Sequence, residues 1–380
     1  MRKICVIASS RATYGYKRKI LKLLSKDKSI NLSVIVTGMH LEKKYGYSIR
    51  DIIKDKIPIT KKIPMNIKDS SNLNFLLSLS TELKEMSKIL SKLKPDIFLI
   101  TGDRSEMFIA CIAAVFLNIP VAHIQAGDVS GHIDGNVRHA ITKLSHIHFA
   151  SCLDSKQRVL KLGEEKNRVF NVGAPQLDEL INIKKDKFFL KKFLKQEIKN
   201  HVILIIQHPL LIDSKSAGSE ILETLNATNE INAIKIVIYP NFDTGSSEII
   251  SKILKFHNND NFYFHKNLNR EIFLNILANS DLLIGNSSCG ILEAPSFKIP
   301  VINIGNRQRG RMQASNILNV NANKNAILKK IKFVFSNTNY RKNLKNCINP
   351  YGDGKSSERI IKVLKKIKLG KNLLDKKITY

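Results

Sequence analysis

Apolar residues in this chain come in short unbroken runs that stop at polar, glycine-containing clusters. Lys3–Ser9, Leu32–Gly38, Ile97–Thr101, Pro120–Ile124, Ile147–Cys152 and Val169–Gly173 are such runs. A run of this length with no polar face predicts a strand buried on both sides, as in a parallel sheet. Between the runs, apolar positions recur with helical spacing at Tyr16–Leu24, Leu73–Leu93, Phe108–Asn118 and Val137–Leu144, and Pro95 resets the chain before the run at Ile97. Ser10 to Gly15, after the first run, reads as a loop. A lysine-rich helical stretch, Asp178–Asn200, interrupts the alternation. A second series follows at His201–Gln207, Lys235–Tyr239, Asn261–His265, Asp281–Gly285 and Pro300–Gly305, and an amphipathic helix, Ser356–Leu369, closes it. The pattern predicts an α/β protein of two Rossmann-like, doubly wound parallel-sheet domains facing a cleft. The expected divisions are 1–178, a helical linker at 179–200, a second domain at 201–369 and a frayed tail at 370–380.

A length of 380 residues exceeds what one hydrophobic core usually organises, which agrees with two domains. No apolar run approaches the roughly 20 residues of a spanning helix, and the opening Met-Arg-Lys-Ile-Cys-Val-Ile-Ala lacks a cleavage-type signal. A soluble, cytoplasmic protein with no membrane partner is the expectation. The five cysteines are scattered through apolar stretches and read as reduced thiols. The net charge of +30 would suit nucleic acid, but the lysines are spread. They gather most in Lys184–Lys199 and Lys362–Lys377, mixed with Ile, Leu, Phe and Asn, which is the composition of solvated faces. No nucleic-acid partner is expected, and the charge helps attract an anionic small substrate.

Candidate chemistry concentrates in Leu99–Ser151, where two buried runs end in Gly102-Asp103-Arg104 and Gln125-Ala126-Gly127-Asp128. Ligands bind at the carboxyl ends of parallel strands, where loops are free of packing. Asp103, Asp128 and Asp134 are candidate acids and bases, with Arg104, Arg138 and His139 as charge partners. Five of the ten histidines lie between His123 and His148, yet no Cys or carboxylate stands at a ligand-like offset, so no metal is expected. In the second half, Gly285-Asn286-Ser287-Ser288-Cys289-Gly290 runs from a strand into a helix. Its N–H groups and hydroxyls suit a diphosphate, or else form an ordinary serine cap. Glu293 is near enough to reach a ribose, and Arg307 and Arg311 follow the next strand. His208 ends the first strand of this half; it donates to phosphate, shuttles a proton or is satisfied by local backbone. Arg11 holds the corresponding place in the first half, as a phosphate contact or a surface charge.

With these residues assembled, the chain resembles the hydrolysing branch of the UDP-N-acetylglucosamine 2-epimerase family, which makes N-acetylmannosamine and related sugars for sialic-acid-like nonulosonates. The markers are Ser10-Arg11-Ala12, Val36-Thr37-Gly38-Met39-His40, Gly102-Asp103-Arg104, His123-Ile124-Gln125-Ala126-Gly127-Asp128, Ile133-Asp134 with Arg138-His139, Gln207-His208-Pro209, Gly285 to Gly290 and Tyr351-Gly352-Asp353-Gly354. The resemblance implies two Rossmann-like domains arranged as in two-domain glycosyltransferases, with a UDP-sugar in the cleft. It implies loss of the C2 proton and of UDP to give a 2-acetamidoglucal, then addition of water with inversion at C2. No metal or other cofactor is implied, and a homodimer or homotetramer is. Asp103 and Asp134 match the family's catalytic acids and His208 the histidine near the diphosphate. Arg11, Ser287, Ser288, Glu293 and Arg307 fall on nucleotide contacts, Arg138 and His139 on the neighbours of the acid at Asp134, and Gly290 is a further candidate for substrate binding.

One departure matters: many relatives carry Glu where this chain has Gln125. An amide cannot take a proton at neutral pH, so either Asp103 or Asp134 is the base here, or the relatives' Glu is not the base in this branch, and Asp128 is placed to supply the missing carboxylate. Gln125 then hydrogen-bonds the substrate or supports the structure. UDP-N-acetylglucosamine is the family's usual substrate. Gln125 to Asp128 and Gly173-Ala174-Pro175-Gln176-Leu177-Asp178 look more like a sister group that acts on UDP-N,N'-diacetylbacillosamine, on the way to legionaminic acid. The rival readings are a non-hydrolysing epimerase, a two-domain glycosyltransferase and a basic nucleic-acid-binding protein.

Overall fold

The unbroken apolar runs form strands, and every strand pairing is parallel. The computed structural model describes residues 1–43, 46–65, 71–129, 132–209, 216–240, 245–266 and 268–380, with backbone alone at 11, 12, 72, 132–134 and 187. The first sheet holds β1 (Arg2–Ala8), β2 (Ile30–Thr37), β3 (Lys61–Ile63), β4 (Ile97–Thr101), β5 (Val121–Ile124), β6 (Ile147–Ala150) and β7 (Val169–Asn171), in the order β3-β2-β1-β4-β5-β6-β7. The second holds β8 (His201–Ile206), β9 (Ala233–Ile238), β10 (Phe262–His265), β11 (Leu282–Gly285), β12 (Val301–Ile304) and β13 (Ile317–Val320), in the order β10-β9-β8-β11-β12-β13.

Successive residues of the central strands feed opposite cores. Ile4, Val6 and Leu99 pack on one side of the first sheet, and Cys5, Ile7, Phe98 and Ile100 on the other. That is why these strands read as continuous apolar runs. β3 and β13 escape that reading because they are edge strands: β3 exposes two lysines and β13 exposes Asn319. An edge strand with a solvated side needs no unbroken run.

In each sheet the order reverses once, at β1/β4 and at β8/β11. At such a reversal, neighbouring connections leave in opposite directions and open a crevice outside the carboxyl ends of the two strands. Ser9-Ser10 and Gly102-Asp103 leave β1 and β4; Gln207-His208 and Asn286-Ser287 leave β8 and β11.

The chain forms two compact units, 1–178 with 351–380, and 179–350. This corrects the expected domains in three ways. The stretch 179–200 belongs to the second unit, and the closing helix, Ser356–Lys366, packs in the first against the helix Arg11–Lys26. Asp178 draws it there: its two carboxylate oxygens accept the backbone N–H groups of Ser356 at 2.9 Å and Ser357 at 2.6 Å, at that helix's start. Nor is the tail frayed. Arg168 donates to the carbonyls of Leu373, Asn372 and Asp375, and Lys376 pairs with the buried Glu164 at 2.7 Å.

The first helix begins at Arg11, so the expected loop is a helical turn. Ser10 accepts from the N–H of Thr13 at 3.4 Å while Thr13 accepts from that of Ser10 at 3.3 Å, a reciprocal cap. Within this helix Lys17 is fully buried; its Nζ donates to the carbonyl of Ile7 at 2.6 Å, and no carboxylate pairs with it among the described residues. Burial pushes its ammonium from an ordinary 10.5 down to about 7. Between those values the unfolded chain holds a proton that the folded one lacks, so this group's contribution to stability rises with pH. Lys17→Met is expected to stabilise by about 2 kcal/mol at pH 6 and by clearly less at pH 9, read from urea unfolding at both.

No described helix is long and apolar enough to cross a membrane.

Candidate active site

In the first unit, β4 ends at Thr101 and the chain turns through Gly102, whose φ of 81° places it in the left-handed region, before Asp103. The Asp103 carboxylate, 21 % exposed, accepts from Nη2 of Arg138, a buried residue of the helix His132–Leu144. Arg138 is aimed by a second bond, from Nη1 to the carbonyl of Gln125 at 3.1 Å. Gln125 holds a φ of 65°, costly for a side chain with a Cβ, so the turn after β5 is constrained by its surroundings. A Cβ on Gly102 would stand 3.4 Å from Gln125 Oε1, which puts the amide beside the turn that carries Asp103.

His123 ties these parts together. It is fully buried on β5, with Nε2 2.8 Å from the carbonyl of Gly102 and Nδ1 3.1 Å from Thr142 Oγ1. Burial above all, with the Arg138 charge beside it, lowers its pKa to about 3, so the ring is neutral. Because Gly102 offers only an acceptor, the single proton sits on Nε2. The Thr142 hydroxyl has one proton, for which Nδ1 and the carbonyl of Arg138, 2.9 Å away, compete, and the contact brings the imidazole under the Asp103 turn against the helix of its arginine.

The other candidates of this unit have different surroundings. Asp128 accepts from Ser151 Oγ at 2.9 Å, at the end of β6, and its buried Oδ1 has no hydrogen-bond partner among the described residues. His139 is half-buried, and burial, then Arg138 and Arg158, lowers its pKa. Arg104 pairs with the buried Glu106. Arg11 opens the first helix and Asp134 stands one turn before Arg138, but both side chains lie outside the described ones. Two more of the clustered histidines have structural partners: His146 accepts from the N–H of Val121 at 3.1 Å, and His148 meets Glu164 at 2.9 Å.

In the second unit, Asn286 is the organising residue. Its side chain accepts the N–H of His208 at 2.7 Å and donates to the carbonyl of His208 at 2.9 Å, joining the ends of β8 and β11. Its own carbonyl accepts from Arg307 Nη1 at 3.1 Å and Gln308 Nε2 at 2.8 Å. His208 is held nearly buried, and burial, then the Arg307 charge, pushes its pKa down to about 3. A neutral imidazole beside a guanidinium is a donor that an arriving anion would recharge.

Ser287 caps the short helix Ser288–Leu292, accepting from the N–H of Cys289 at 3.4 Å, and Ser288 is half-buried beside it. Gly290, a candidate for substrate binding, also has a packing reason, since a Cβ there would come within 2.9 Å of Val301 on β12. Glu293 is buried and pairs with Arg270 through Oε1 at 3.0 Å. Asn286, Gln308, Arg270 and Glu106 stand outside the candidates named from sequence, where an amide at the end of a strand is the one signal that Asn286 offers.

The fold and these two switch-point clusters define a two-domain α/β protein built to present polar groups at the carboxyl ends of parallel strands. The profile described as UDP-N-acetylglucosamine 2-epimerase matches residues 22–365. A UDP-N,N'-diacetylbacillosamine 2-epimerase (hydrolyzing) of Legionella pneumophila is 37% identical over 379 residues, 99% of each chain. A GDP/UDP-N,N'-diacetylbacillosamine 2-epimerase (hydrolyzing) of Campylobacter jejuni is 35% identical over 85% of each. Among solved structures, the UDP-GlcNAc 2-epimerase of Neisseria meningitidis bound to UDP-GlcNAc superposes with a TM-score of 0.81. It is 20% identical and covers 97% of this chain and 100% of that one, a likeness of fold. The chain belongs to the UDP-N-acetylglucosamine 2-epimerase family and is an epimerase.

Proposed function

We propose that this protein is a hydrolysing 2-epimerase whose substrate is UDP-N,N'-diacetylbacillosamine, releasing UDP and the C2-inverted free sugar. The observation that carries this reading is the Asp103 carboxylate, partly open at the end of β4 and held by a buried arginine that is itself held by the turn after β5. A base must be fixed in place before it can take a proton from carbon.

The C2 proton passes to a carboxylate and the C1–O bond breaks with its electrons going to UDP. A C1=C2 double bond forms, and water then adds hydroxyl to C1 and a proton to C2 from the opposite face. Because Gln125 cannot accept the proton, Asp103 or Asp134 is assigned as base and the other as acid. Asp128, held at Ser151, is the reserve candidate, and Gln125 and His139 bond the sugar. The diphosphate is assigned to Arg11, Arg104, His208, Ser287, Ser288 and Arg307, with Glu293 on the ribose. Stabilising the leaving charge is the work of these donors and cations. The two relatives named for diacetylbacillosamine support that sugar over UDP-N-acetylglucosamine.

The reading includes a role in nonulosonate synthesis, a cytoplasmic setting and a homo-oligomer. Five free, buried cysteines suit a reducing compartment. Leu73, Leu76 and Leu77, each more than half exposed on one helix, offer a partner copy an apolar surface.

Incubating the protein with each UDP-sugar in heavy water and following products by NMR tests the assignment. UDP and a free inverted sugar carrying deuterium at C2 are expected from the diacetylated substrate. Turnover of UDP-N-acetylglucosamine alone would move the substrate, and an intact epimerised UDP-sugar, or transfer only to an added acceptor, would overturn the hydrolytic reading.

A further inference from the structure

Among the buried acids of the first unit that the proposed reaction does not use, Glu106 and Glu82 stand on two helices packed together near the Asp103 turn. Glu106, in the first turn of the helix Ser105–Phe116, is 1% exposed. It accepts Nε of Arg104 at 3.1 and 3.3 Å and Nη2 at 3.0 Å. Glu82, on the helix Asn72–Leu93 that packs against this one, is fully buried, and among the described residues neither of its oxygens has a hydrogen-bond partner. Burial and then the Glu106 charge, opposed by Arg104, push the Glu82 carboxyl up to about 9. Glu82 is therefore uncharged at neutral pH, and the Glu106 charge is left to Arg104.

The chain after β2 is shaped around the same carboxylate. Gly38, at a φ of 59°, lies so close that a Cβ there would stand 3.0 Å from Glu106 Oε1 and 2.8 Å from the carbonyl of Ser9. A buried anion that three segments accommodate needs a purpose. The cation it holds is adjacent to Asp103, with its side chain 32% exposed. A guanidinium gripped through Nε and Nη2 is locked in plane, with its Nη1 edge turned away from the carboxylate.

We propose that Glu106 is a positioning residue: it fixes the Arg104 guanidinium so that the edge facing away from Glu106 meets the phosphates of the UDP group. This rests on the UDP-sugar reading above and deepens it. Arg104 then contributes geometry as well as charge, and a lysine in its place supplies only the charge.

Calorimetric affinity for UDP, with KM and kcat for the UDP-sugar, tests it. Glu106→Gln is expected to weaken UDP about tenfold and to raise KM by a similar factor, with kcat within about threefold. In an Arg104→Met background, Glu106→Gln is expected to change UDP affinity less than twofold, because no guanidinium remains to be placed. Arg104→Lys, at a partly exposed position that tolerates the change, is expected to lose about tenfold, and it decides the matter if Glu106→Gln does not fold. Wild-type affinity in Arg104→Lys or Glu106→Gln would overturn the inference, as would an undiminished Glu106→Gln effect without the arginine. Those results leave the UDP-sugar reading intact, whereas a wild-type protein that does not bind UDP overturns both.

Discussion

Asp103→Asn is expected to lower kcat about a thousandfold while UDP affinity stays within about threefold of wild type. Proton transfer from a positioned side chain contributes on the order of a hundredfold to ten-thousandfold, and an amide has the shape of the carboxylate without its basicity. The substitution keeps an acceptor for Arg138 Nη2, and Arg138 keeps its bond to the Gln125 carbonyl, so the turn is expected to hold. The guanidinium is nearly buried, so losing its charge partner costs about 1–2 kcal/mol, less than for a wholly buried pair because Asp103 is partly open to water. Steady-state rates and UDP calorimetry on one preparation separate the two effects. A mutant with wild-type kcat would remove Asp103 from the chemistry and leave Asp134 as the base.

The second large effect is expected at Gly285, where Gly285→Ala should destabilise the second unit by about 4 kcal/mol. A Cβ there would stand 1.9 Å from the carbonyl oxygen of Ile206 and 2.6 Å from its carbon. Both are backbone atoms in the β8–β11 ladder and cannot swing aside as a side chain does. The φ of 134° adds a conformational cost. A loss of this size is comparable with the whole stability of many domains. Any folded remainder should bind UDP poorly, because shifting β11 against β8 separates Asn286 from His208. Gly305→Ala isolates the conformational part: φ is 65° there and nothing lies within 4 Å of the added Cβ, so about 1 kcal/mol is expected. Urea unfolding of both variants checks the contrast, and a Gly285→Ala protein as stable as Gly305→Ala would refute the steric account.

The legible parts of this protein are those whose cause is local. A run such as Phe98-Leu99-Ile100 has no polar side to turn to water, so it announces a strand covered on both faces, and the residues after it stand at a carboxyl end. Asp103, His208, Ser287 and Arg307 could be picked out that way. Asn286 could not, because its role is defined by His208, 78 positions away, and nothing near Asn286 in sequence reveals that partner. Glu82 and Glu106 have nothing in sequence to set them apart from other helix acids. Only the packing of one helix on the other buries both, with Arg104 as the cation paired with Glu106.

By itself the sequence determined the two parallel sheets, the strands that lie at their centres and the polar groups placed at strand ends, because hydrophobic periodicity and chain turns act over a few residues. Tertiary structure alone decided that Ser356–Lys366 returns to the first unit, that Lys17 and Glu82 carry their titratable groups into the interior, and that Arg104 is locked on Glu106. Each of those outcomes depends on charge, desolvation and close contact between segments far apart in the chain, and such terms take their values only once the chain has folded.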